Sequence, residues 1–324
     1  MSTVLVTGGA GYIGSHTCKA LAEAGFQPVA FDNLSNGHAW AAQWGPLVKG
    51  DIRDSDALDA AFAAHKPSAV IHFAGLIEVG VSVRDPLSFW DANVAGSACL
   101  LQAMQRAAVE TIVFSSTAAV YGSPSTVPIP ETAACAPVNP YGETKAAVER
   151  MLAHQASAHG LRYAALRYFN AAGADAGGTI GEAHDPESHL IPLVLQVAQG
   201  RRASISLFGT DYDTPDGTCV RDYIHVSDLA DAHVAALRAL LSGRHDALTC
   251  NLGTGQGHSV REVVEVVRSV TGHAVPAVEA ARRPGDPASL VADASRAKQL
   301  LGWTPTRSSL PKIVASAWRW HKSR

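Results

Sequence analysis

Gly8, Gly11 and Gly14 stand between the apolar run Val4-Leu5-Val6 and a stretch of helical composition, and few folds accommodate glycines in that setting. The apolar run is bounded by turn residues and predicts a short buried strand. At this spacing the first glycine permits a tight turn, the second lets backbone approach a pyrophosphate, and the third lets the following helix close on the strand. Phosphates would then rest on free N–H groups at the helix N-terminus. Taken alone, such a triplet reads equally well as an ordinary flexible turn. Here it is answered by Asp32, at the end of the next apolar run, residues 28–31. A carboxylate about 20 residues beyond the loop accepts hydrogen bonds from an adenosine ribose and repels a 2′-phosphate, which favours NAD over NADP.

The alternation continues along the chain. Residues 47–48, 69–73, 111–114 and 161–169 read as further strands, with helices expected over 15–24, 56–65, 91–107 and onward from Gly142. Short, strongly apolar, β-branched strands alternating with helices predict a parallel sheet buried on both faces. Beyond Gly173 the alternation fails, and Gly, Asp, His and Pro accumulate up to His189. Strand-like runs return at 203–208 and 249–252, and a helix at 226–241. With 324 residues, 47% of them hydrophobic, there is material for two cores. The expected fold is α/β: a doubly wound parallel-sheet Rossmann domain over residues 1–172, rejoined by about 222–248, and a smaller α/β substrate-binding domain over 173–324.

Thr117, Tyr141 and Lys145 supply a hydroxyl, a phenol and an ammonium, a set suited to removing a proton from an alcohol as hydride leaves. An unperturbed tyrosine, with a pKa near 10, is a poor base at neutral pH. A neighbouring Lys145 cation is expected to stabilise the phenolate and lower that value. On its own, Tyr-x-x-x-Lys reads as a helix cap and one solvated charge. Downstream of a dinucleotide loop and opposite a strand-end hydroxyl, the catalytic reading gains weight.

The segments TGGAGYIGSH, Asp32-Asn33, GDIRD, VIHFAG, FSSTAAVYG, NPYGETK, LRYFNAAGA, VRDYIHVSDLADAH and RRPGDPASLVAD, in that order from residue 3 to about 303, resemble the UDP-glucose 4-epimerases of the extended short-chain dehydrogenase/reductase family. The resemblance implies one tightly held NAD, oxidation of the sugar at carbon 4, rotation of the 4-keto sugar, and return of the hydride to its other face. It implies that Tyr141 is the base, that Lys145 binds the nicotinamide ribose and that Thr117 assists. Around the cofactor it places Gly8, Gly11, Tyr12, Ile13, Gly14, Asp32, Asn33, Asn36, Asp51, Ile52, Phe73, Ala74, Gly75, Asn93, Ser115, Tyr141, Lys145 and Tyr168. Around the UDP-sugar it places Thr117, Tyr141, Asn170, His189, Leu190, Phe208, Arg221, Arg283, Asp286 and Leu290, with Arg221 and Arg283 as forks for the diphosphate. A leucine at 290, smaller than the tyrosine of restricted enzymes, implies weaker activity on the N-acetylated pair. Helices from Asp91 and Gly142, with the small residues Ala95, Gly96, Ala98, Ala146, Ala147 and Ala153, match those that pair into a homodimer. One departure is Ile77-Glu78, where some members carry a lysine.

Two neighbouring functions are disfavoured by residues. Nucleotide-sugar 4,6-dehydratases carry an acidic pair after the strand-end threonine, and this chain has Ala118-Ala119. A non-catalytic NAD sensor on the same fold predicts loss of Tyr141 or Lys145, and both are present. A net charge of −3 gives no electrostatic reason to expect nucleic acid or an anionic membrane. Cys18, Cys99, Cys135, Cys219 and Cys250 form no C-x-x-C pair, and no leader or membrane-spanning run is evident, so reduced thiols and a cytoplasmic location are expected. The histidines form no metal-ligand motif, and His184 and His189 are expected to face solvent or substrate.

Overall fold

The computed structural model describes residues 2–283 and 286–323, so that Met1, Arg324 and, within the RRPGDP motif, Pro284 and Gly285 lie outside the described residues. Strands β1 (Thr3–Thr7), β2 (Gln27–Asp32), β3 (Leu47–Lys49), β4 (Ala69–His72), β5 (Thr111–Thr117) and β6 (Arg162–Tyr168) alternate with helices. After them come β7 (Asn170–Ala172), β8 (Ile205–Phe208), β9 (Val220–His225), β10 (Ala247–Leu252), β11 (Gly257–Ser259), β12 (Ala277–Ala280) and β13 (Ser289–Leu290). One sheet runs β10-β6-β5-β4-β1-β2-β3, all its pairs parallel.

Side-chain alternation explains why both faces are covered. Val4 and Val6 turn to one face with Ile71, Val113 and Leu166, whereas Leu5 turns to the other with Val29, Val70 and Ile112. The helices Tyr12–Glu23 and Val226–Leu241 pack together on the first face. Ser55–His65, Gly96–Arg106 and Pro140–His159 close the second. Each such aliphatic side chain, taken fully out of water, contributes roughly 1.5–3 kcal/mol.

Strand order reverses between β1 and β4, and ligands of open parallel sheets bind outside the carboxyl ends of the strands at such a point. The glycine loop follows β1 and Phe73-Ala74-Gly75 follows β4, so both lie there. A second, smaller half pairs β11-β9-β13 with β7 on β9, and β12 with β8. Its core gathers Leu195, Tyr223, Val263, Val267 and Ile313 between the helices Leu190–Ala198, Val260–Thr271 and Leu310–Lys322.

Several elements differ from expectation. The first helix starts at Tyr12, because Gly11 in extended conformation (φ −80°, ψ 178°) serves as its N-cap. The expected helix over 91–107 opens with a wider π turn, Trp90–Ala95, before Gly96–Arg106. The strand at 249–252, met in sequence after the loop-rich region, is the tail of β10 and extends the large sheet beside β6. Among the cysteines, Cys18, Cys219 and Cys250 are buried, Cys135 is exposed, and all five are free. Among the described residues no helix is long and apolar enough to cross a membrane.

Candidate active site

The three glycines are there for different reasons. Gly8 has φ +71°, and a Cβ on it would stand 2.7 Å from the amide nitrogen of Ala74. At Gly14 a Cβ would meet the carbonyl oxygen of Gly8 at 2.0 Å. Both glycines are therefore demanded by the chain itself. Gly11 has an ordinary extended backbone, and its Cβ would meet nothing nearer than Gly8 O at 3.2 Å. The protein alone would nearly tolerate a side chain there, which is what a backbone reserved for close approach of a pyrophosphate requires. The residues fit a dinucleotide.

Asp32 ends β2 with its carboxylate accepting Ala10 N–H at 3.0 Å and Leu34 N–H at 2.8 Å. Burial raises its pKa, while those two amides and the His38 charge pull the other way. Asp51 is committed elsewhere: Asn33 Nδ2 donates to it at 2.9 Å and Arg53 grips both its oxygens at 2.9 and 2.8 Å. Tyr12 donates its hydroxyl to Gly173 O at 2.7 Å, Ile13 leans on the sheet core, and Ile52 is buried beneath Gly96. Asn36 is exposed. Asn93, in the π turn, holds the β4 loop by accepting Leu76 N–H at 2.7 Å and donating to Leu76 O and Thr144 Oγ1 at 3.0 Å each.

Thr117, Tyr141 and Lys145, the trio expected to be catalytic, lie where β5 meets the helix Pro140–His159. That helix starts where it does because Asn139 accepts Gly142 N–H at 2.9 Å and Pro140 occupies the first turn. Tyr141 and Lys145 consequently project from one face, one turn apart. The Tyr141 hydroxyl is hydrogen-bonded to the Thr117 side chain, whose Oγ1 also accepts Ala119 N–H at 3.1 Å. Lys145 is 3% exposed, donates from Nζ to Ser115 O at 3.0 Å and lies over the Phe114 ring at 4.9 Å. Ser115 Oγ and the Tyr168 hydroxyl share a 2.5 Å hydrogen bond alongside.

The electrostatics correct one expectation. Burial pushes the Tyr141 phenol up to about 12, the Thr117 hydrogen bond opposes this, and Glu78 adds to it. Lys145 does not lower the phenol here: its ammonium is turned to the Ser115 carbonyl, and burial brings its own pKa down to about 8. Glu78 therefore has an electrostatic reach that sequence reading noted only as a missing lysine.

The substrate candidates gather on the smaller half. Arg221 and Asp286 are joined to each other, Nη2 to Oδ1, at 2.5 Å. Leu290 on β13 sits in register beside Arg221 and packs towards Val120, Tyr121, Ile129 and Ala146. Arg283 stacks over the Phe208 ring at 4.0 Å, and Asn170 pairs with Tyr223 between β7 and β9. His189 caps the helix that Leu190 begins. His184 is mostly turned inward, its side chain 18% exposed, and His189 keeps 39% of its side chain exposed while its Nδ1 turns inward; the two nitrogens stand 3.2 and 2.9 Å from a buried Glu182 oxygen. Burial would lower the His189 pKa, but Glu182 and Glu187 hold it up at about 10. The nearest sequence signal for this pairing was the density of His and Glu in residues 182–189.

Comparison with known proteins agrees with this geometry. The profile of the NAD dependent epimerase/dehydratase family matches residues 4–253. The chain is 54% identical over 319 residues to a UDP-glucose 4-epimerase of Rhizobium leguminosarum bv. trifolii, covering 98% of this chain and 97% of that one. Its structure is similar to that of UDP-glucose 4-epimerase from Brucella ovis in complex with NAD, with TM-score 0.96, 50% identity and 98% of each chain covered. It also matches the enzyme from Stenotrophomonas maltophila with bound NAD and formylated UDP-arabinopyranose, with TM-score 0.96, 45% identity, 100% of this chain and 98% of that one.

Proposed function

Because the chain belongs to the NAD dependent epimerase/dehydratase family, we propose that it interconverts UDP-glucose and UDP-galactose with NAD as resident cofactor. The observation that carries this reading is the Thr117–Tyr141 hydroxyl pair at the carboxyl end of β5, the sheet end that also carries the glycine loop, with the Lys145 ammonium one helical turn from Tyr141. Gly8, Gly11, Gly14 and Asp32 would hold the dinucleotide, with Asn93, Ser115, Lys145 and Tyr168 towards its nicotinamide end. When bound, NAD supplies the acceptor and donor of hydride at sugar C4, and a positive charge near the phenol.

The chain's own part is proton handling and orientation. Tyr141 would act as its phenolate, ionised once the cofactor's positive charge stands beside it, taking the proton of the C4 hydroxyl and later returning it, while Thr117 keeps the phenol oxygen aimed by sharing its hydrogen bond. Ala118 and Ala119 offer no acid or base for eliminating water. Arg221 and Arg283 would hold the diphosphate, Arg221 being pre-positioned by Asp286. On this reading residues 1–172 with about 222–248 serve the cofactor, and the remainder of 173–324 serves the UDP-sugar.

Incubating the purified protein with UDP-galactose and no added NAD should yield UDP-glucose. A 4-keto-6-deoxy product would make it a dehydratase, and no product would remove the assignment. Tyr141→Phe should lower turnover by about 10²–10⁴-fold while retaining the cofactor.

The assembly is a homodimer in the cytoplasm. Val79, Val83, Leu87 and Trp90 are 43, 62, 78 and 40% exposed beside the helices expected to pair. Gly96 and Ala146 serve packing within the chain instead, against Ile52 and in the Val120 cluster. Sedimentation equilibrium giving a monomer mass with full activity would remove the dimer.

A further inference from the structure

Residues 182–189 fold so that Glu182, His184, Glu187 and His189 present one ligand atom each, all within 4.8 Å of one another. Glu182 Oε1 stands 3.2 Å from His184 Nδ1 and 2.9 Å from His189 Nδ1. Glu187 Oε1 stands 3.0 Å from His189 Nδ1, and its Oε2 stands 4.0 Å from His184 Nδ1. Hydrogen bonding accounts for only part of this. An imidazole Nδ1 carries at most one proton, yet His189 Nδ1 meets oxygens of both glutamates. His184 Nδ1 is wholly buried and makes no hydrogen bond, although it faces both carboxylates. The two carboxylates are 4 and 6% exposed, and their negative charge is felt at Tyr12 and His321.

We propose that these four side chains form a binding site for one divalent cation of the zinc type. Two imidazole nitrogens with two carboxylate oxygens are a donor set that zinc accepts, and four protein ligands complete its usual tetrahedral shell. A cation at their centre, taking the place of the proton on His189, gives the buried His184 Nδ1 a partner and meets the charge of both carboxylates at once, where an imidazolium offsets only one. The frame is already braced: Ser188 and His189 amides both donate to Glu187 Oε1 at 2.8 Å, and Trp320 Nε1 donates to Glu182 O at 2.8 Å. With its shell closed, the ion is structural. It locks the loop that delivers His189 and Leu190 and ties it to Tyr12, whose ring meets His184 edge-on at 6.2 Å. The site stands independently of the epimerase reading.

The test uses full-length protein carrying its cofactor, produced without a histidine tag, treated with chelator and titrated with Zn²⁺ alone, and in parallel with Co²⁺ as an optical probe. Saturable binding of one ion per chain is expected, with the visible absorption of a four-coordinate nitrogen and oxygen Co²⁺ centre. His184→Gln and Glu187→Gln should each weaken Zn²⁺ by at least about 100-fold, the upper end of what a supporting contact alone contributes. Each variant is first shown to retain its cofactor and a cooperative thermal transition. Native protein without stoichiometric uptake, or folded variants that bind as the native chain does, would overturn the site and leave a hydrogen-bonded cluster only.

Discussion

Lys145 is the residue at which folding and chemistry pull in opposite directions. Its ammonium is 3% exposed, and burial lowers its pKa from 10.5 to about 8. The unfolded chain therefore holds this proton more tightly, so below pH 8 the folded state carries the full cost of a desolvated charge. As pH rises from 8 towards 10.5 that cost disappears. Lys145→Met should accordingly stabilise the protein near pH 7 by roughly 2 kcal/mol, once the lost hydrogen bond to Ser115 O is set against the shift. Turnover should collapse in the same variant. Urea midpoints at pH 7 and 10 check this, and a destabilised variant, or a gain that grows with pH, would contradict it. Leu290 poses a question of room instead. It lies beside Arg221 with its side chain towards the Val120 cluster, and Leu290→Tyr would fill that space. The native protein should turn over the N-acetylated UDP-sugars weakly, and the variant should lose them while keeping UDP-galactose. Equal loss on both pairs, measured side by side, would make Leu290 a packing residue.

At the scale of elements, the loop after β1 shows why glycines of one motif are not interchangeable. Gly14→Ala would drive a Cβ into Gly8 O, where it would stand at 2.0 Å, and should lower the melting temperature sharply. Gly11→Ala, with only a 3.2 Å contact, should melt within a few degrees of the native chain stripped of its cofactor yet copurify without cofactor. Released dinucleotide and calorimetry on the two variants separate these effects, and cofactor retained by Gly11→Ala would refute the distinction. This loop and the Tyr141-x-x-x-Lys145 spacing were legible because each rests on short-range chemistry, whereas the cap at Asn139, one turn before the helix expected from Gly142, was met only in the fold. Strand alternation was legible for the same reason. What the sequence hid is long-range: the Arg221–Asp286 pair and β10 returning to the large sheet join residues through the fold, whereas the Glu182 cluster is local and was hidden because letters do not show which way a loop turns its side chains. The VRDYIHVSDLADAH segment illustrates the difference. Its carboxylates build structure, with Asp222 accepting Thr254 and Gly255 amides at 2.9 and 3.0 Å and Asp228 accepting Thr306 and Arg307 amides at 3.0 and 2.7 Å. Nothing in the order of those letters separates such a carboxylate from one that meets a ligand.

For the whole molecule, buried histidines set the acid limit. Burial brings His16, His225 and His233 to about 4 and His72 to about 3, so all four are neutral in the fold. The unfolded chain takes up these protons near pH 6.5, hence what these four contribute is full above that value and falls as pH drops towards 4. The combined slope is about 5 kcal/mol per pH unit, enough to exhaust a typical stability within a few units. Urea midpoints should fall steadily from pH 6.5 to 5, and a flat profile would count against neutral burial. The path of the backbone adds a different consequence. After β6 the chain leaves the large sheet for β7, returns through the helix Val226–Leu241 and β10, leaves again for β11, and comes back once more with the helix Ser295–Leu301 against β10 before ending on the smaller half. The two halves are thus stitched together rather than strung on one linker. A fragment ending at residue 172 would lack the strand and helix that cover Val113 and Leu166, leaving its core open to water. A protease nick or a swapped half would therefore leave an uncovered core rather than yield two working parts.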